Sequence, residues 1–202
     1  GSVYGEFDMI PAEYDKRTLT MEEGREIVRG SMGKDLADSL LPMFEKAYPE
    51  RNPADLLHLD AILRPSVQRY VTARAMDGGT VYSYLFDMDF PYGNGKVAWH
   101  CTDVPFVFHN TQMVATSNVP GVTDRLEEQI FSSVIAFAKN GDPNHPGLPR
   151  WEPSTGTEEK TMIFGADTHQ ETNFDRDLMS ILEKEAAKMI RQLFIGDTDI
   201  KH

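Results

Sequence analysis

The run Thr80-Val81-Tyr82-Ser83-Tyr84-Leu85-Phe86 is β-branched or aromatic at five of its seven positions. Such residues fit a pleated, half-buried surface, so the run predicts a strand. Helical patterns stand on both sides of it. A second strand is expected at Thr161-Met162-Ile163-Phe164, and Gly1-Ser2-Val3-Tyr4 reads as the end of another. The order helix, helix, helix, strand, helix, strand, helix predicts an α/β class.

The helices have identifiable ends. Thr20-Met21-Glu22-Glu23 is a capping box, in which hydroxyl and carboxylate satisfy each other's free backbone donors. The helix it opens is expected to end at Gly30 and Gly33. A second helix spans roughly 34 to 47, with Leu36, Leu40, Met43 and Ala47 on one face; Pro42 leaves its continuity open. Pro65 suits the first turn of a third, where Val67, Tyr70, Val71 and Ala75 repeat until Gly78-Gly79. A fourth runs from Asp124 to Lys139 with Leu126, Ile130, Phe131, Val134 and Phe137 inward, and stops at Asn140-Gly141-Asp142-Pro143. The last covers Asp175 to Ile195, with Leu178, Leu182, Ala186, Met189 and Leu193 on one stripe.

Composition excludes several classes. The 202 residues suffice for one domain with a core, and 40% hydrophobic with 26% charged content is that of a folded chain. A net charge of −12 disfavours nucleic acid and anionic membranes as partners. Apolar runs fall short of the ~20 residues of a membrane helix. Cys101 is the single cysteine, so no internal disulfide forms and a cytoplasmic location is favoured.

The chemistry is concentrated in Trp99-His100-Cys101-Thr102-Asp103-Val104-Pro105-Phe106-Val107-Phe108. This segment resembles the histidine motif of the type B carboxylesterases, the α/β-hydrolase family that includes para-nitrobenzyl esterases and cholinesterases. Four further blocks resemble that family in the same order. They are Gly1 to Glu6, Asp60-Ala61-Ile62-Leu63-Arg64-Pro65-Ser66, Val81 to Asp87, and Phe137 to Asn144 with Trp151-Glu152-Pro153 after it. The resemblance covers most of the chain from Gly1 to about Phe164. It implies the C-terminal part of an α/β-hydrolase fold, carboxylic-ester substrates, and no metal or organic cofactor.

The resemblance also implies roles. His100 would be the base of a Ser-acid-His triad and Glu6 its acid, consistent with the chain order Ser, acid, His of α/β hydrolases. Gly5 stands where Asp or Asn is common, and Phe7 where Gly is usual. Asp103 matches the family's acidic residue after the histidine, where it would orient the local loop. No serine lies in a Gly-x-Ser-x-Gly elbow. Arg29-Gly30-Ser31-Met32-Gly33 comes nearest, but Arg29 replaces the first Gly and Ser31 follows the acid. The glycine-rich oxyanion segment is absent as well. The expectation is therefore a C-terminal segment whose partner is the N-terminal part of the same hydrolase, inactive alone. The isolated chain is expected to dimerise, swap elements or aggregate through an exposed strand edge.

Weaker signals read as structural. Cys101 stands at the family's Gly position and is expected to be a small buried thiol. His58-Leu59-Asp60 and Asp87-Met88-Asp89 lack a second ligand cluster at metal spacing. Gly93-Asn94-Gly95-Lys96 is a turn rather than a phosphate loop. Trp99 and Phe106 to Phe108 should pack around the histidine loop, and the aromatic and Met residues between Ile10 and Met43 could shape ester specificity. The rival class is a non-catalytic, cholinesterase-like interaction module, disfavoured by the presence of both Glu6 and His100.

Overall fold

The computed structural model describes residues 1–8 and 12–195, with side chains as far as Lys188. A four-stranded sheet has the order β1 (Ser2–Val3), β2 (Ser83–Phe86), β3 (Lys160–Phe164), β4 (His169–Thr172). The first three are parallel and β4 is antiparallel to β3. Between β1 and β2 lie α1 (Met21–Met32), α2 (Lys34–Ala47), a 3₁₀ turn at Pro53–His58 and α3 (Leu63–Met76). A short α4 (Val104–Val107) and α5 (Thr123–Asn140) separate β2 from β3, and α6 (Arg176–Ile195) closes the described chain. Parallel neighbours need such crossovers, which is what makes the chain α/β.

Local chemistry explains most boundaries. The Thr20 capping box forms as expected, the hydroxyl accepting from Glu23 N–H. Gly30 stays inside α1; only Gly33, at φ +82°, breaks the helix and leads directly into α2. Helix α2 is continuous through Pro42, whose ring lies on the exposed side. Its buried face is Ala37, Leu40, Leu41 and Phe44, one step round from the expected stripe. Strand β2 is shorter than the run that announced it, because Val81 accepts instead from Ser154 N–H in the segment before β3. Strand β4 had no apolar signature to reveal it, being His169-Gln170-Glu171-Thr172 on an edge.

Two helices turn a different face inward than their apolar spacing predicts. In α3 the buried residues are Arg64, Pro65, Gln68 and Val71, while Tyr70 is 67% exposed. In α5, Leu126 and Ile130 point inward as expected, but Val134 and Phe137 are exposed and Glu127, Gln129 and Ser133 are buried in their place. In α6, Leu178, Met179 and Leu182 are buried; the side chains of Met189 and Leu193 lie outside the described residues.

The rotation of α3 follows from a buried ion network. Arg64 Nε and Nη2 donate to both Asp175 oxygens at 3.0 Å, and Nη1 donates to Glu159 Oε1 at 2.8 Å. Gln68, Tyr48 and Ser83 add donors to the two carboxylates at 2.8, 3.0 and 3.2 Å. Two buried carboxylates exceed one guanidinium by a charge, and these neutral donors satisfy the surplus. Burial alone would lower the Arg64 pKa, but Asp175 and Glu159 outweigh it and hold the guanidinium above its ordinary value. Arg64→Ala is expected to cost about 3–5 kcal/mol by stranding two buried carboxylates; urea denaturation of the variant against the parent measures it.

Candidate active site

Glu6 reaches its place through the end of β1. Tyr4 N–H donates to Phe86 O at 3.0 Å, continuing the β1–β2 ladder, and Gly5 N–H then donates to Ala98 O at 2.9 Å. Asp8 N–H returns to Gly5 O at 2.8 Å and closes a turn that carries Glu6. Gly5 has no room for a side chain: a Cβ would lie 2.8 Å from Val97 Cγ2 and 2.9 Å from His58 O. That close approach seats the Glu6 turn on the segment leading to His100.

His100 sits on a turn of its own, in which Thr102 N–H and hydroxyl both bond to Trp99 O, at 3.0 and 2.7 Å. Its Nδ1 is hydrogen-bonded to Glu6 Oε1. The Glu6 side chain is 10% exposed and that of His100 is 60% exposed. A carboxylate in this position can accept from an Nδ1–H, the tautomer in which Nε2 is the acceptor. The imidazole opens on a cleft of about 520 Å³, lined in part by Ser2, Val67, Tyr70 and Tyr82. Ser2 Oγ is buried without a hydrogen-bond partner among the described residues, but it belongs to a strand and not to an elbow. Ser31 is exposed in the last turn of α1.

The neighbours of the histidine are partly as expected. Tyr84 OH donates to Asp103 Oδ2 at 2.8 Å, tying the loop to β2; burial and Asp103 both raise the Tyr84 pKa, so the hydroxyl remains a donor. Trp99 packs on Phe90, and Phe106 on Phe86, with centroids 5.2 and 5.1 Å apart. Phe108, by contrast, is 69% exposed. Cys101 is also exposed, correcting the expectation of a buried thiol. Its φ of +64° explains both that outcome and the glycine usual there, since the left-handed turn swings the side chain away from the core.

The acidic pairs have structural partners. Asp60 accepts from Ile62, Leu63 and Arg64 N–H at 2.9 Å each, so it caps α3. Asp89 pairs with Lys16 at 2.7 Å and with Arg51 at 3.0 Å; Arg51 also binds Asp87 and Asp55. No cluster of three metal-binding side chains occurs among the described residues. Gly93, Asn94 and Gly95 all have positive φ and form the expected turn.

Sequence reasoning passed over one group. Asp8 bonds to His58 Nδ1 at 3.2 Å and accepts from Lys96 Nζ at 2.8 Å, while Tyr14 OH meets His58 Nε2 at 2.9 Å. These four residues are scattered over the chain, and no spacing pattern joins them.

The sequence profile of the carboxylesterase family matches residues 34–182. The chain belongs to the carboxylesterase family. An esterase from the anaerobe Clostridium hathewayi that can hydrolyse aliphatic aromatic polyesters is 45% identical and superposes with a TM-score of 0.84, over 91% of this chain and 36% of that one. The carboxylesterase of Geobacillus stearothermophilus, 22% identical with a TM-score of 0.51, shares the fold over 81% of this chain and 34% of its own. The phenmedipham hydrolase of Pseudarthrobacter oxydans is 30% identical over 91 residues, which are 42% of this chain and 18% of the hydrolase. The chain thus spans little more than a third of these relatives at most, and its architecture is part of an α/β-hydrolase fold. His100 falls within the family match and Glu6 precedes it.

Because Cys101 holds a left-handed backbone, Cys101→Gly is expected to leave stability unchanged or raise it by up to about 1 kcal/mol, whereas Cys101→Val should cost about 1–2 kcal/mol. Denaturation midpoints of the two variants test the assignment.

Proposed function

We propose that this chain supplies the acid and the base of a serine carboxylesterase, with Glu6 as acid and His100 as base. The supporting observation is the Glu6–His100 Nδ1 hydrogen bond, which joins residues 94 positions apart and leaves the imidazole open on the cleft. In the reaction, His100 Nε2 takes the proton of a serine hydroxyl as its oxygen attacks the ester carbonyl. The same nitrogen then returns the proton to the departing alkoxide. Glu6 holds the imidazole in the required tautomer and stabilises the imidazolium that forms between the two steps. No Gly-x-Ser-x-Gly elbow lies in these 202 residues, so we assign the serine and the oxyanion donors to a further part of the same hydrolase, the natural partner of this chain.

Small-molecule carboxylic esters are the substrate class, drawn from family membership. Esters joining aromatic and aliphatic units are favoured within it, by the identity to the Clostridium hathewayi esterase and by Tyr70 and Tyr82 on the cleft wall.

Hydrolysis of para-nitrophenyl butyrate by the full-length protein tests the roles. His100→Ala is expected to lower kcat by roughly 10⁴-fold or more, and Glu6→Gln by about 10²–10⁴-fold. Parental activity in His100→Ala would refute the assignment, and an inactive full-length protein would favour a binding module instead.

Self-association of the isolated chain is a second expectation. Strand β1 is paired on one side only among the described residues, and Val134, Phe137 and Tyr70 leave apolar surface exposed. Light scattering should find dimers or larger species; a clean monomer unfolding in one cooperative step would contradict this.

A further inference from the structure

The contacts around Asp8 form a second link between the two halves of the Glu6–His100 pair. Asp8 shares with Glu6 the turn closed by the Asp8 N–H to Gly5 O bond, and Lys96 lies four positions before His100 on the segment that seats it. The Asp8–Lys96 bond at 2.8 Å and the Glu6–His100 bond therefore join the same turn to the same segment. Lys96 is buried, with its ammonium 5.6 Å from the centre of the Trp99 ring, next to His100.

His58 braces this link from a third direction. Its Nδ1 lies 3.2 Å from Asp8 Oδ1 and its Nε2 lies 2.9 Å from Tyr14 OH, while its backbone carbonyl backs Gly5. Burial and the charges of Asp55 and Asp8 push the Tyr14 pKa up to about 12, so the phenol stays protonated and available to donate. Burial pushes the Asp8 carboxyl up, but bonds from His58 and Lys96 outweigh it and hold it below the usual carboxylate range. Asp8 is thus ionised at neutral pH and accepts from both neighbours.

We propose that Asp8, held between Lys96 and His58, is a positioning residue for the Glu6–His100 pair. It touches no reacting atom. It fixes the height and tilt of the acid turn against the histidine segment, and proton transfer tolerates little error there: a misplacement near 1 Å can cost about 100-fold in rate. Phe7, between the two carboxylates, is 58% exposed and contributes little packing to hold the turn, which leaves the polar links to do so.

The inference rests on the proposed roles of Glu6 and His100, and the test separates the two ideas. In the full-length protein, kcat and KM for para-nitrophenyl butyrate are measured for Asp8→Ala, His58→Ala, His58→Asn and, alongside them, His100→Ala. Asp8→Ala is expected to lower kcat about 10- to 100-fold with KM little changed. His58→Asn keeps a side-chain donor near the Nδ1 position and should recover most of the rate lost in His58→Ala. A folded Asp8→Ala protein with parental kcat overturns the proposal. If Asp8→Ala does not fold, equal kcat values for His58→Ala and His58→Asn overturn it. His100→Ala at parental rate would instead place the fault in the roles assigned to the pair.

Discussion

Arg64 is the contact on which the arrangement of the chain depends. Its guanidinium joins α3 to the residue before β3 and to the residue before α6, and Tyr48 and Ser83 bring the end of α2 and the start of β2 to the same carboxylates. A buried charge has few tolerable positions, because each hydrogen bond it lacks in a low-dielectric interior is costly. Five elements are therefore held to one geometry by a single network centred on Arg64. Apolar packing would allow α3 to turn about its axis with modest loss; the network does not. This is why Tyr70 faces outward despite its place in the apolar repeat.

That framework carries Glu6 and His100. The β1–β2 register sets Val3 opposite Phe86, and the two chains leave the sheet side by side. Gly5, with no space for a Cβ, lets the first chain lie on the segment that returns toward His100. The Glu6 side chain is largely buried, whereas that of His100 is exposed. The asymmetry fits the orienting and proton-exchanging roles proposed for the two residues.

Much of this was legible before any coordinates. Thr20 and Glu23 form their capping box because its chemistry is local, and Gly141 ends α5 in a left-handed conformation for the same reason. The strands at 83–86 and 160–164 follow from apolar runs long enough to cross a sheet. Other features had no such signal. Strand β4 is polar and borrows its order from β3. Cys101 read as a core thiol because small sulfur side chains are usually buried, yet its φ of +64° sends it outward. Val134 and Phe137 fit a helical stripe but face a surface where nothing among the described residues covers them fully.

Residue order alone settled what depends on neighbours a few positions apart: helix caps, glycine stops, the alternation of helices with strands, and the motifs that mark the carboxylesterase family. Only the tertiary structure decided which helix faces turn inward and how Asp8, Tyr14, His58 and Lys96 come to meet. The physical reason is range. Capping and strand propensity act within one or two turns of chain, whereas a buried ion pair or a hydrogen bond between residues 44 or 88 positions apart exists only once the packing has brought them together.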